Sequence, residues 1–209
     1  MKVIVFGATG GTGTQLVKQA LENGDQVTAF ARQANNLNIQ HEHLQTVQGD
    51  ILDLAAVTHA IKGHDAVLCA LGAPAMNKSG IRAQGTKNII KAMEQTGVNR
   101  MICMSAYGCG DSYKLLPFHY KFLILPLMLR HVYADHEVQE QHVQASKLDW
   151  TLVRPSALID KKQSADYWHG TSASDTPLTL KISRENVAGF MLKQLTDTAY
   201  LNKAANLSA

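Results

Sequence analysis

Short apolar runs alternate along the chain with longer stretches in which apolar residues recur every three or four positions. Apolar runs with little polar alternation are typical of strands buried on both faces of a parallel sheet. Apolar residues at the longer spacing predict helices that bury one face. The predicted strands cover residues 3–6, 26–31, 44–47, 66–70, 100–104 and 150–153.

The stretches between these strands predict helices with recognisable ends. Asp53 stands where a helix N-cap accepts backbone N–H groups, and Gly24 and Gly97 stand where a helix ends in a left-handed residue. Regular alternation of strand and helix predicts parallel β-α-β units with right-handed crossovers. The predicted helices cover residues 14–23, 53–62, 81–96, 136–146 and 185–195.

Two longer stretches interrupt this alternation, at about residues 107–135 and 156–179. The first is rich in aromatic and apolar residues, and the second is polar and loop-like. Both follow the C-terminal end of a predicted strand, which is the edge where open α/β sheets bind ligands. We therefore expect one α/β domain over residues 1–209, with a doubly wound parallel sheet and two insertions that wall a substrate pocket.

Composition indicates a globular protein and argues against two classes of partner. The 209 residues are 45% hydrophobic and 18% charged, which suffices for a sizeable core. The net charge of +3 is dispersed along the chain, so no basic stripe for nucleic acid is present. The longest apolar stretch, residues 122–129, contains Pro126 and is too short to span a bilayer. We expect a monomer or homodimer.

Cysteine and histidine usage indicates a reduced protein without a metal site. Three cysteines, with no CxxC pair, predict buried structural thiols. His136 and His142 miss the i, i+4 repeat of a shared ligand site, and we expect surface or structural roles for both. Met1 and Lys2 run directly into a predicted strand without a signal-peptide pattern, so we expect a cytoplasmic location.

The first predicted strand runs directly into a glycine-rich turn, residues 7–13, with the sequence GATGGTG. In a dinucleotide-binding unit Gly7 allows the tight turn, Gly10 lets the backbone approach a pyrophosphate, and Gly13 lets helix and strand pack closely. The following helix N-terminus offers free N–H groups and a positive dipole end to the phosphates. The spacing is GxxGxxG rather than GxGxxG, so a strand–turn–helix that needs glycine only for its shape is the alternative.

The second predicted strand ends at Arg32, and no acidic residue follows until Glu42. Sites selective for NAD place an aspartate or glutamate here to bind the ribose 2′-hydroxyl. An arginine instead binds a 2′-phosphate through paired, charge-assisted hydrogen bonds. The pattern favours NADPH over NADH, with a solvated strand-end charge as the alternative interpretation.

Small or polar residues follow the other predicted strands. Asp50 and Ile51 fit two roles, either bracketing an adenine or forming a turn and helix cap. Ser105 places a hydroxyl near the expected nicotinamide position. The remaining residues expected along the cofactor are Ala70, Leu71, Gly72, Pro155 and Ser156.

These strings, in this order, resemble the atypical short-chain dehydrogenase/reductases of the NAD(P)H-binding group. Within that group the chain is most similar to the biliverdin-IXβ reductase/flavin reductase proteins. The resemblance implies a Rossmann-type fold and bound NADP. The matching stretches are residues 5–10, 27–32, 49–50, 65–72, 85–90, 105–106, 135–136, 153–155 and 182–191.

The resemblance also implies roles for individual residues. Arg32 would hold the 2′-phosphate, and Asp50 with Ile51 would contact adenine. Ser105 would lie beside the nicotinamide and the substrate, as the candidate catalytic residue. The residues implied at the pyrophosphate are Gly7, Thr9, Gly10, Gly11, Thr12, Gly13 and Thr14.

The chain lacks the acid/base pair of carbonyl-reducing relatives. Those proteins use Tyr-x-x-x-Lys, in which a lysine one helical turn away lowers the tyrosine pKa. No tyrosine here is followed by lysine at that distance. This argues against alcohol oxidation and sugar epimerisation, which need the pair. Reduction of a flavin or bilin needs mainly orientation and exclusion of water.

The leading hypothesis is an NADPH-dependent oxidoreductase that transfers hydride to a flavin, bilin or other planar conjugated acceptor. The apolar stretch at residues 118–129 fits a stacking wall for such a substrate and equally a core helix or an oligomer face. The alternatives are a non-catalytic NAD(P)-sensing regulator and, with less support, a nucleotide-sugar epimerase or dehydratase. The expected substrate-contacting residues are Tyr107, Tyr113, Phe118 and Trp168.

Overall fold

The structure, a computed structural model, describes residues 1–74, 77–162, 166–172 and 178–209, and within these ranges a sheet of eight strands lies between two layers of helices. Short strands rich in apolar residues form its centre because both of their faces are buried. The strands in the described ranges are β1 (Lys2–Phe6), β2 (Gln26–Ala31), β3 (Leu44–Gln48), β4 (Ala66–Cys69), β5 (Arg100–Met104), β6 (Asp149–Pro155), β7 (Ala157–Ile159), β8 (Trp168–Gly170), β9 (Lys181–Ser183) and β10 (Lys203–Ser208); of these, β7 and β9 form a second, small sheet.

The helices cover the two faces of this sheet through separate hydrophobic clusters. The first and fifth helices pack together on one face, and the second, third and fourth pack on the other. The Asp53 carboxylate accepts from the backbone N–H groups of Ala55 and Ala56, which confirms the predicted N-cap. The helices are α1 (Gly11–Glu22), α2 (Leu54–Ile61), α3 (Ile81–Thr96), α4 (Arg130–Gln144) and α5 (Arg184–Lys193).

The strand order in the large sheet is β3-β2-β1-β4-β5-β6-β10-β8. The strands pair in parallel, except that β8 runs antiparallel to β10. The order reverses between β1 and β4, and at such a switch point the strand ends leave a crevice that binds dinucleotides. The doubly wound, mostly parallel Rossmann-type sheet is therefore confirmed. Strands β7 and β9 pair separately in a small parallel sheet.

Strand β10 and the start of helix α4 differ most from the sequence prediction, which also lacked the short strands β7, β8 and β9. Strand β10 was not predicted, since alanine and asparagine in its sequence KAANLS have low strand propensity. It pairs in parallel with β6, and Asn206 is fully buried within it. Helix α4 begins at Arg130, six residues before the predicted start at His136, because a π-helical segment at Tyr120–Leu129 leads directly into it.

The first insertion is helical and has a small core of its own. It contains a 3₁₀ turn at Gly110–Leu115 and the π-helical segment, with Pro126 inside that segment. Tyr107, Leu116 and Leu125 form a buried cluster separate from the two main ones. In the second insertion, β7 and β8 are described, while residues 163–165 and 173–177 of the predicted 156–179 stretch lie outside the described residues.

A buried ion-pair network ties the first insertion to the sheet. Arg154 of β6 donates from Nε and Nη2 to the two carboxylate oxygens of Glu140 on α4, at 2.9 and 2.6 Å. Its Nη1 donates to Asp111 in the 3₁₀ turn. Burial alone would lower the Arg154 pKa, but the two carboxylates outweigh it and raise that pKa, so the guanidinium stays charged.

Cysteine burial agrees with the sequence interpretation. Cys69, Cys103 and Cys109 are free thiols and are fully buried. Within the described ranges, none of the helices has the combination of length and apolarity needed to cross a membrane.

Candidate cofactor-binding site

The glycine-rich turn after β1 takes a shape that side chains would block. Gly7 has φ +79°, and a Cβ there would lie 2.4 Å from the carbonyl oxygen of Ala70. A Cβ on Gly13 would lie 2.0 Å from the carbonyl oxygen of Gly7. Thr14 closes the turn by donating from its hydroxyl to the carbonyl oxygen of Ala8, at 3.2 Å. The turn therefore holds α1 tightly against the end of β1.

The N-terminus of α1 is bare and faces a cleft. Gly10 is its N-cap, with no side-chain cap and no acidic residue in the first turn. Gly11 and Thr12 line the same cleft. Unpaired N–H groups at a positive helix end attract anions, so this end suits a pyrophosphate.

The cleft has a volume of about 560 Å³ and opens at the carboxyl ends of the strands, at the switch point between β1 and β4. Residues that follow six strands, β1 to β6, meet there, which brings together positions far apart in the sequence. Sequence-predicted cofactor residues that line the cleft are Gly7, Thr9, Gly10, Gly11, Thr12, Arg32, Ile51, Ala70, Leu71, Gly72, Ser105, Pro155 and Ser156.

Three predicted cofactor residues do not line the cleft. Gly13 and Thr14 shape the turn behind it. Asp50 accepts through Oδ1 from the backbone N–H of Leu52 at 2.9 Å, the turn contact that was one of its two sequence interpretations. Its neighbour Ile51 does line the cleft.

The four predicted substrate residues lie outside the lining of this cleft. Tyr107 is buried in the cluster of the first insertion, and its carbonyl oxygen accepts from the Tyr133 hydroxyl at 2.8 Å. Tyr113 and Phe118 are exposed on the surface of that insertion. Trp168 lies in the edge strand β8, opposite Ser208 of β10.

Ser105 is buried with its hydroxyl unsatisfied. Its backbone N–H donates to the carbonyl oxygen of Val153 at 2.7 Å, which fixes the residue at the end of β5. The Cys109 thiol lies beside the hydroxyl, yet the hydroxyl has no partner of hydrogen-bonding geometry in the described ranges. A buried polar atom without a partner is rare in folded proteins, so this hydroxyl is available to hydrogen-bond a ligand in the cleft.

His136 lines the cleft, although sequence spacing favoured a surface or structural role for it. Its Nδ1 lies 2.9 Å from Oε1 of Gln139, and Gln139 donates in turn to the Thr86 hydroxyl at 3.0 Å. Burial, and then the Arg82 charge, lower the His136 pKa to about 4. The imidazole is therefore neutral at pH 7, with Nδ1–H donated to Gln139 and an acceptor lone pair left on Nε2.

Two arginines that line the cleft were also missed as site residues. Arg82 forms a buried ion pair with Asp135 at 3.3 Å and donates to the carbonyl oxygen of Ala73 at 3.0 Å. Arg184 pairs with Asp160 at 2.7 Å, and a Cβ on Gly11 would lie 2.6 Å from its Cδ. Arg184 therefore crosses directly over the glycine-rich turn. The only sequence signal for Arg184 was the resemblance over residues 182–191, which gave this residue no role.

The residues present fit an NAD(P) molecule. A Cβ on Gly72 would meet nothing within 4 Å and would project into open space at the cleft wall. The bare helix end, the cations Arg32 and Arg184, and the unpartnered Ser105 hydroxyl supply donors for phosphates and for a polar ring substituent.

The family comparison agrees with this geometry: the chain belongs to the NAD(P)H-binding family, whose model matches residues 7–198. Among similar proteins is the UPF0659 protein of Saccharomyces cerevisiae, 27% identical over 206 residues that cover 93% of this chain and 87% of the yeast protein. The chain is thus an NAD(P)H-binding protein.

Solved structures share the fold. A short-chain dehydrogenase/reductase from Veillonella parvula in complex with NADP superposes with a TM-score of 0.84, at 18% identity, over 100% of this chain and 94% of that chain. ChuY from Escherichia coli O157:H7, described as an anaerobilin reductase, superposes with a TM-score of 0.79, at 22% identity, over 99% of this chain and 96% of that one.

Proposed function

We propose that the protein is an NADPH-dependent reductase that passes a hydride to a planar conjugated acceptor such as a flavin or a bilin. The observation that carries the proposal is the buried, unpartnered Ser105 hydroxyl in the cleft of a chain without a Tyr-x-x-x-Lys pair. One weak hydrogen-bond donor suits a conjugated ring, which needs little acid catalysis. ChuY, described as an anaerobilin reductase, shares the fold, and its support for a bilin acceptor goes no further than that likeness.

The proposed cofactor contacts follow from the cleft lining. The bare N-terminus of α1 binds the pyrophosphate, and Arg184 adds a positive charge above it. Arg32 binds the 2′-phosphate, which makes NADPH the preferred cofactor. The nicotinamide, when bound, supplies the hydride.

Ser105 and His136 contact the acceptor in different ways, one as a hydrogen-bond donor and the other as a hydrogen-bond acceptor. The Ser105 hydroxyl donates a hydrogen bond to the oxygen or nitrogen where charge develops, which stabilises that charge in a dry site. His136 is neutral and accepts through Nε2, so it orients an N–H or O–H group of the acceptor. The final proton comes from solvent at the cleft mouth.

Steady-state turnover tests this assignment. Wild-type protein is expected to oxidise NADPH in the presence of FMN, riboflavin or biliverdin. Ser105→Ala is expected to lower kcat by about tenfold to a hundredfold, the range for losing one donor to a developing charge. Ser146→Ala is the matched control, because its hydroxyl donates to the carbonyl oxygen of Val143 at the end of α4. Equal kcat for Ser105→Ala and wild type would remove Ser105 from the mechanism.

A non-catalytic NAD(P)-sensing regulator is the second candidate, and the missing Tyr-x-x-x-Lys pair favours it as well. It predicts tight NADPH binding without turnover by any acceptor. Gly10→Val supplies the control for both candidates, because the introduced valine side chain would stand where the pyrophosphate must approach the turn. Loss of NADPH binding in this variant, with retained turnover in wild type, supports the reductase.

A further inference from the structure

The surface of the first insertion carries an unusual concentration of exposed apolar side chains. In the described ranges, six of the nine large hydrophobic residues that are exposed lie between positions 113 and 128. Phe118 and Leu127 are 74% and 75% exposed. Large contiguous apolar surfaces on soluble proteins mark interaction sites. This surface, called the apolar patch below, consists of Tyr113, Phe118, Phe122, Leu123, Leu127 and Met128.

The apolar patch is an outward face of an anchored segment. Leu116 and Leu125 point inward and pack with Tyr107 in the insertion's own core. The Arg154–Glu140 pair fixes the neighbouring helix to the sheet. On the outer side, the Phe118 and Phe122 rings lie 4.4 Å apart, so they form a continuous apolar surface. Folding therefore buries one side of the segment and leaves the other side without a partner.

Three basic residues and no acidic residue accompany the apolar patch in the sequence. Between Asp111 and Asp135 the chain contains no acidic residue, but it contains Lys114, Lys121 and Arg130. None of these three cations pairs with a carboxylate in the described part of the chain.

The Lys121 side chain lies at the aromatic edge of the patch. The Lys121 ammonium donates to the carbonyl oxygen of Lys114 at 2.8 Å and sits 5.7 Å from the centre of the Tyr113 ring. Such amphipathic side chains cover apolar surface with their stems and keep their charge at its margin. The segment thus combines an apolar face with a cationic margin.

We propose that the apolar patch docks on the surface of an anionic lipid bilayer. Phenylalanine, leucine and methionine side chains insert at the boundary between headgroups and acyl chains, and the flanking cations bind lipid phosphates. The charge distribution favours this occupant over a second copy of the chain, because a two-fold contact would bring like-charged margins together. The ten-residue π-helical segment Tyr120–Leu129 lies on the surface rather than spanning it.

Vesicle flotation with the full chain tests the proposal. Vesicles of phosphatidylcholine with about one-third phosphatidylserine are expected to carry the protein at low salt, and pure phosphatidylcholine vesicles to carry much less. Phe118→Ser with Leu127→Ser is expected to lower the bound fraction by at least about tenfold. Lys114→Glu with Lys121→Glu is expected to remove the preference for anionic vesicles. Val138→Ser, a change at an exposed apolar residue of α4 outside the patch, is the matched control.

Retained NADPH binding shows that each variant is folded, so the readout is independent of turnover and of the proposed reductase activity. Failure of wild type to float with anionic vesicles would overturn the proposal. Concentration-dependent dimerisation of wild type, abolished by Phe118→Ser with Leu127→Ser, would assign the patch to a second copy and overturn it too.

Discussion

Arg32 is exposed at the end of β2 and lines the cleft, and no carboxylate in the described ranges pairs with it, so its charge is available to a ligand. Ser105 and His136 line the same cleft and are buried, and each has a polar atom, Oγ or Nε2, available to a substrate. The proposed function therefore assigns selectivity for the cofactor and contact with the acceptor to different residues. They can be tested separately.

Replacing Arg32 tests the choice of cofactor. Arg32→Ala is expected to weaken NADPH binding by about tenfold to a hundredfold, the worth of a charge-assisted contact, and to leave NADH binding nearly unchanged. Fluorescence titration with each cofactor measures both constants. Lys18→Ala, which removes an exposed cation of α1 outside the cleft, is the control. An equal loss for both cofactors would contradict a contact with the 2′-phosphate.

His136 predicts a specific pH dependence of stability. Its folded-state pKa of about 4 lies below the ordinary value of 6.5, so the unfolded chain takes up a proton first as the pH falls. This contribution to stability is fully present above about pH 6.5 and is lost progressively towards pH 4, by at most about 3 kcal/mol. NMR titration of the ring and denaturant unfolding of His136→Gln measure it. A ring that titrates near pH 6.5 would contradict the buried neutral state.

At the level of elements, the ion pairs of Arg154 connect β6, α4 and the 3₁₀ turn after β5. Helix α4 carries His136 into the cleft, and β6 ends at Pro155, which Ser156 follows. The network therefore fixes the positions of two walls of the cleft relative to each other. We expect its loss to lower the stability of the fold and to disturb the geometry of the cleft.

Glu140→Gln tests this network. Leaving Arg154 without its buried carboxylate is expected to lower the free energy of unfolding by about 3 kcal/mol or more. Asp160→Asn is the control, because it removes an exposed carboxylate from an ion pair with Arg184 and should change stability by less than about 1 kcal/mol. Denaturant unfolding measures both variants. Equal effects would show that the buried pair contributes no more than a surface pair.

Sequence patterns predicted the central elements well, because burial on both faces and glycine punctuation are local signals. The bounds of β2, α3 and β5 agree with the prediction. Strand β10 gave no such signal, since its alanines and Asn206 are buried by tertiary pairing with β6 rather than by propensity. The start of α4 was missed because Pro126 indicates a break, whereas a π-helical segment accommodates it.

The residues of the candidate site were likewise predictable only where the sequence carries a local signal. Residues at strand ends, such as Arg32 and Ser105, were predictable because parallel strands end at one edge of the sheet. His136 and Arg184 come from helices that pack on the two faces of the sheet, and their spacing along the chain does not show that they reach the cleft. Asp50 shows the limit of a local motif, since the same residue suits a turn and a ligand contact.

For the whole molecule, the cleft joins groups from both halves of the sheet, so a bound dinucleotide should stabilise the entire fold. At a concentration a hundredfold above its Kd, NADPH is expected to add about 2.7 kcal/mol. For a chain of this size that corresponds to a rise in Tm of about 5–10 °C. Thermal unfolding with and without NADPH measures it. An unchanged Tm under saturating NADPH would contradict binding across the switch point.

The most direct test of reductase activity is a stopped-flow single turnover with NADPH deuterated at either face of nicotinamide C4, using FMN, riboflavin and biliverdin as acceptors. NADPH oxidation is expected to match acceptor reduction one for one with at least one acceptor, and to slow with only one of the two deuterated stereoisomers, since a ring bound in one orientation presents one face to the acceptor. Saturable NADPH binding with no oxidation by any of these acceptors would contradict the reductase and favour the regulator.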